Sequence, residues 1–133
     1  MVRAKLISTA GPYLEAIIEV QGQRLCVMDE FSVSAASSPK LGEEFEFEFS
    51  PFLDESEEWE AIFSGNPEGY MGLEQIQGWR YRAFGRVVSV NPVVVDCGLF
   101  KAEGVISSSD PNLIGEPVAF LVSRLGGYAY STY

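Results

Sequence analysis

Phe45, Phe47 and Phe49 alternate with Glu44, Glu46 and Glu48, and a period of two suits only an extended strand. Successive side chains leave a β-strand on opposite sides, so the rings share a buried face and the carboxylates a wet one. Such alternation, with β-branched and aromatic runs, recurs along the chain, whereas helical periodicity appears once. The chain is therefore predicted to be all-β and mostly antiparallel, a small barrel with one short helix.

Residues Tyr13 to Val20 and Arg24 to Phe31 flank Gln21-Gly22-Gln23, a connection suited to a hairpin. Phe31 to Leu41 reads as a Ser-rich loop, and Gly42 opens the Phe/Glu strand. Asp54 to Phe63 reads as the helix, with Asp54 and Glu55 near its positive end and Trp59, Ile62 and Phe63 at i, i+3 and i+4. A connection containing Gly69, Gly72 and Gly78 leads to a strand from Trp79 to Val90, and Asn91-Pro92 turns the chain into Val93 to Phe100. Strands at Ala102 to Ile106 and Val118 to Leu125 follow, then a tyrosine-rich tail from Gly126 to Tyr133. A three-strand meander, a helix and a two-strand hairpin is the element order of an OB-type barrel. No linker or repeat is visible, so residues 1–133 are expected to form one β-barrel-like domain. A chain of this length buries about 65 to 70% of its unfolded surface and needs no disulfide or metal to fold.

Nine of the nineteen carboxylates lie between Gly42 and Glu60, a window without Lys or Arg; elsewhere ten acids face nine bases. If Asp54, Glu57 and Glu58 share a helix face they repel one another, and a basic partner relieves that repulsion. The acidic surface formed by Glu44, Glu46, Glu48, Asp54, Glu57 and Glu58 is thus the first candidate for partner binding. Its occupant would be a basic protein, as for an inhibitor or immunity protein steered onto a cationic target. No apolar run approaches the roughly 18 to 20 residues that span a bilayer, and residues 1–8 lack a signal-like core. The expected location is cytoplasmic, with no membrane association.

The chain contains no histidine, which removes the usual general base near neutral pH and the usual partner of Ser and Cys nucleophiles. Neither Gly-rich phosphate-binding pattern occurs. Cys26 and Cys97 sit in apolar runs and are expected to be buried, reduced thiols. Two isolated thiols make no zinc site, and Asp54 to Glu58 lacks the spacing of a calcium loop. No metal and no cofactor are expected. Asp96, between Val93-Val94-Val95 and Cys97-Gly98, is the candidate buried carboxylate; an outward position near a strand end, or satisfaction by backbone N–H groups around Gly98, is the structural alternative. A carboxylate-based enzyme centred on Asp96 or the acidic window would need two acids in one concavity.

Between Trp79 and Arg86 three arginines interleave with aromatics. On a strand Arg80, Arg82, Phe84 and Arg86 share one face, with Tyr81 on the other. Arg80, Tyr81, Arg82, Phe84 and Arg86 could serve an OB-like surface for single-stranded nucleic acid. A net charge of −10 opposes a polyanion, because phosphate neutralisation supplies nonspecific nucleic-acid affinity. The same arginines could instead face Glu44, Glu46 and Glu48 across neighbouring strands as a ladder of ion pairs. Tyr128, Tyr130 and Tyr133 suit packing on the barrel or on another copy, so a homo-oligomer is a further expected assembly. The chain reads as a binding module rather than an enzyme.

Overall fold

The computed structural model describes residues 2–34, 38–54 and 56–130; Glu55, part of the Ser-rich loop and Tyr133 of the tail lie outside them. As expected, the fold is a mostly antiparallel all-β arrangement of nine strands with two short helices. The strands are β1 (Val2–Thr9), β2 (Glu15–Val20), β3 (Gln23–Asp29), β4 (Glu44–Leu53), β5 (Gly72–Gln77), β6 (Arg80–Ser89), β7 (Val94–Asp96), β8 (Lys101–Glu103) and β9 (Pro117–Ala129). Helix α1 is the single turn Phe31–Ser34, α2 is Trp59–Ser64, and Pro111–Leu113 forms a 3-10 turn. The chain divides into two compact units. The first comprises residues 1–52, 77–79 and 124–133, and the second comprises 53–76 and 80–123.

In the first unit five strands close into a ring, β3-β2-β1-β4-β9 and back to β3. The order β4-β1-β2-β3 is a Greek key, in which the fourth strand returns beside the first. The β2–β3 hairpin turns on Gln21 and Gly22, whose φ angles of 52° and 80° are those of the tight primed turn that matches strand twist. In strand β1 Ala4 and Leu6 point inward while Arg3 and Lys5 point out. Inside the ring, Phe31, Phe45 and Phe47 pack with centroids 5.2 to 6.3 Å apart. Helix α1 brings the fully buried Phe31 into this cluster. One turn of helix therefore occupies a stretch that composition marks only as loop.

Ring closure depends on Gly126-Gly127, residues that read as the start of a tail. They pair in parallel with β3, Met28 opposite Gly126 and Asp29 opposite Gly127, and Glu30 N–H donates to the Gly127 carbonyl at 3.1 Å. A Cβ on Gly127 would collide with the Phe47 ring, and one on Gly126 would lie 2.7 Å from Glu30 Oε1. A side chain on either residue would thus displace what packs against the strand.

The second unit packs β9 (117–123) against β6, and β6 against β5 and β7, with β8 beyond β7. Tyr81, Ala83 and Val87 of β6 meet Val118, Phe120 and Val122 of β9 in its core. Strand β5 lies in the connection that its glycines made look irregular. Buried Asn66 pins residues 66–70: its Nδ2 donates to the Tyr70 and Val118 carbonyls at 2.9 and 3.2 Å, and its Oδ1 accepts from Tyr70 N–H at 2.9 Å. Helix α2 starts at Trp59 rather than Asp54, and its apolar residue Ile62 is buried.

Gly127→Ala is expected to destabilise the protein by about 1–3 kcal/mol through overpacking. The double variant with Phe47→Leu should recover part of that loss in chemical denaturation. Additive effects would show that the two residues do not share this contact. Both cysteines are buried, and burial pushes the Cys97 thiol up to about 12, with the Asp96 charge adding to the shift. An unfolded thiol ionises near 9.0, so the Cys97 contribution is complete below that pH and declines as pH rises toward about 12. The stability difference between wild type and Cys97→Ala should shrink across this window. A constant difference would contradict the shift.

Candidate functional site

Strand β4 is bonded to β1 on one side and β9 on the other, so its carboxylates meet β1 cations rather than the arginines of β6. Arg3 stands opposite Glu46 and Lys5 opposite Glu44, and Arg3 Nε lies 3.4 Å from Glu44 Oε2. Both side chains of that pair are more than 60% exposed, a setting in which an ion pair contributes little. The expected glutamate–arginine ladder does not form, because β6 is bonded to β9, β5 and β7.

On its other side β4 meets the residues expected to be tail. Tyr130 N–H donates to the Glu46 carbonyl at 2.9 Å, and the Arg124 guanidinium lies 5.0 Å from the Phe52 ring centroid. Between these two contacts the Ser50 carbonyl lies 3.4 Å from where a Cβ on Gly126 would stand, so the strands run past one another from Glu46 to Phe52. The outer face of β4 and β9 therefore carries Glu46 and Glu48 beside three aromatic rings. Phe52 is 59% exposed, Tyr130 49% and Tyr128 38%.

The remaining residues of the acidic set lie in the second unit and do not share a helix face. Asp54 accepts from the backbone and hydroxyl of Ser56, and these bonds, with help from the Arg80 charge, hold its carboxyl below the usual range. Glu57 Oε1 accepts from Leu121 N–H. Asp54 N–H in turn donates to the Leu121 carbonyl at 3.1 Å, so the lead-in to α2 satisfies both backbone groups of Leu121. Glu58 precedes the helix with extended backbone and makes no side-chain cap; its carbonyl accepts from Ile62 N–H. Asp54 and Glu57 also line a small cleft with Leu53, Ile62, Phe120 and Leu121. Each is already a hydrogen-bond acceptor for the protein itself, which leaves this pair poorly suited to proton transfer.

The Arg/aromatic strand alternates as expected, with Tyr81 and Ala83 inward and Arg80, Arg82, Phe84 and Arg86 on the other face. Tyr81 is 2% exposed and offers no ring for stacking. The opposite face is covered in part by residues 65–72. Phe84 meets Tyr70 with centroids 5.3 Å apart, Gly69 abuts the Arg86 guanidinium, and Arg86 Nη1 donates to the Gly115 carbonyl at 3.0 Å. Only Arg80 and Arg86 are exposed, whereas Arg82 and Phe84 are half-buried.

Asp96 is half-buried, stands opposite Arg86 and Lys101 on neighbouring strands, and accepts from Gly98 N–H at 2.9 Å. Among the described residues the fully buried carboxylate is instead Asp29. It accepts from the hydroxyls of Thr9 and Ser32 and from Ser32 N–H at 2.8 Å. Its sequence signal is an Asp ending the apolar run Leu25 to Met28, with Ser three residues on, the pattern of a side chain that caps a helical turn. Among the described residues no group of His, Cys, Asp and Glu side chains could hold a metal ion, and no helix is long and apolar enough to cross a membrane. Charge is unevenly divided: the first unit carries eight acids and five bases, the second eleven and four. The chain matches no protein family, and neither a curated protein nor a solved structure is significantly similar to it.

Glu57→Ala should destabilise the protein by about 1–3 kcal/mol, the cost of leaving the Leu121 N–H without its charged acceptor. Glu58→Ala should stay within about 0.5 kcal/mol of wild type. Equal effects in urea denaturation would remove the distinction between the two glutamates.

Proposed function

We propose that this protein is a non-enzymatic interaction module that presents the outer β4–β9 face to a basic protein partner, in the manner of an inhibitor or immunity protein. The observation that carries the reading is the exposure of Phe52, Tyr128 and Tyr130 beside Glu46 and Glu48 on one sheet face. Aromatic rings supply the apolar area of a contact, and Tyr adds a hydroxyl at low entropic cost. The glutamates steer a cationic partner and fix its register, which raises the association rate more than the affinity. Arg3 and Lys5 offset part of the charge of β4 on the β1 side, as Arg124 does at the Phe52 end of the β9 side.

The Greek-key ring also supports an OB-like reading, since OB barrels are five-stranded Greek-key barrels that bind ligands on their second and third strands. Here the outward positions of β2 and β3 include Glu15 and Glu19, with Glu19 paired to Arg24 at 3.6 Å. That surface repels phosphate, and the arginines of β6 belong to no ring strand. A protein partner is therefore favoured over single-stranded nucleic acid.

Fluorescence anisotropy with a labelled hexaarginine peptide tests the proposal. Binding should weaken about tenfold as salt rises from about 50 to about 300 mM. Tyr128→Ala, and separately the pair Glu46→Gln with Glu48→Gln, should each weaken it about fivefold, near 1 kcal/mol. Affinity indifferent to these substitutions would sink the assignment of this face.

A further inference from the structure

One end of the β4–β9 face already holds a cation of the chain's own. The Arg124 guanidinium lies over the Phe52 ring, 5.0 Å from its centroid, although that ring is 59% exposed. Two residues along β9, the Glu30 carboxylate rests over the backbone of Gly126, in space that a Cβ at that residue would take, where it feels the Arg124 charge without forming an ion pair with it. Burial raises the Glu30 pKa, and the Arg124 charge works against that rise. An aromatic face and a carboxylate together are the two surfaces that a planar, always-charged guanidinium uses best: it stacks on one and donates to the other. A Lys ammonium uses this combination less well, because it cannot stack and is more strongly hydrated.

We propose that Phe52 and Glu30 form a seat for a guanidinium group, and that Arg124 fills it in the free protein as a built-in competitor displaced by an arginine of the partner. This inference rests on the reading of the β4–β9 face as the partner surface and names the side chain it takes at that end. Exchange of one guanidinium for another replaces like contacts with like, so the cost of releasing Arg124 is set by its tether to the site. The seat adjoins Ser50 and Glu48 along β4, so one extended basic segment could span the seat and the tyrosines. The competitor selects against weakly basic partners, since an incoming group must outdo a cation tethered beside the site.

The test compares hexaarginine binding to wild type, Arg124→Ala and Lys5→Ala. Lys5 is also an outward cation of this sheet, so its removal reports the gain from lost like charge alone. Arg124→Ala should tighten binding about fivefold or more, and Lys5→Ala no more than about twofold. Adding Phe52→Ala to Arg124→Ala should abolish the excess, and hexalysine should gain less than hexaarginine. Arg124→Met keeps the side-chain stem and should show the same gain if the alanine variant folds poorly. A gain no larger than that of Lys5→Ala, or one that survives Phe52→Ala, would overturn the seat. If the seat variants behave as expected while Tyr128, Glu46 and Glu48 prove indifferent, the wider face fails and the seat stands. Sensitivity at those three residues without a gain from Arg124→Ala would have the opposite meaning.

Discussion

The meeting of β9 with β3 at Gly126-Gly127 is the contact on which the first unit depends. A strand that closes a ring must pass between a filled core and whatever lies outside, and here both sides are occupied at adjacent residues. The Phe47 ring lies against Gly127 from within, and the Glu30 carboxylate lies over Gly126 from without. Because a strand sends successive side chains to opposite faces, only two consecutive glycines admit both neighbours. Once closed, the ring places β9 beside β4, and this adjacency creates the acidic and aromatic face. Without it, the outer edge of β4 would present unpaired backbone groups, which favour aggregation.

Many of the acids in this acidic chain act as backbone acceptors where regular pairing ends. Asp29 organises the turn after β3, Glu57 satisfies Leu121 N–H, Asp54 holds Ser56, Asp96 accepts from Gly98 N–H, and Asp110 accepts from Asn112 N–H at the 3-10 turn. Backbone N–H groups outside a regular ladder need other partners, and a carboxylate supplies two acceptor oxygens on a short stem. A high acid count is thus weak evidence for a charged recognition surface until the engaged acids are set aside. Asn66 plays the corresponding part with an amide, which can donate to carbonyls as well as accept.

Much of the secondary structure could be read from the chain because it follows from local alternation. The Phe/Glu pattern marks β4, the Gln21-Gly22 turn marks its hairpin, and the inward and outward sets of β6 follow from period two alone. Readings that needed a partner did less well. The arginines of β6 and the glutamates of β4 have complementary charge, yet β9 pairs with both strands and keeps them from pairing with each other. Helix α2 begins later than its acids suggest, because acids that favour a helix N-terminus equally favour the extended lead-in that reaches Leu121. Strand β5 was hidden by glycines, which signal irregular backbone but are tolerated at a strand's start.

The face that carries the functional proposal was half visible. Glu44, Glu46 and Glu48 announce an outward acidic row, while Tyr128 and Tyr130 follow Gly126-Gly127 in what composition marks as a terminal tail, and Phe52 and Arg124 carry no signal of their own. Residue types and a two-residue period are enough to make the chain β-rich, to set which side chains of β4 and β6 point inward, and to withhold histidine chemistry. Which strands are neighbours, that Gly126-Gly127 closes a ring, and that tyrosines eighty or more positions from Glu46 and Glu48 share their sheet face all depend on tertiary packing. Strand pairing is a long-range choice made by the packing of the whole core, and two residues distant in sequence carry no local mark of their meeting.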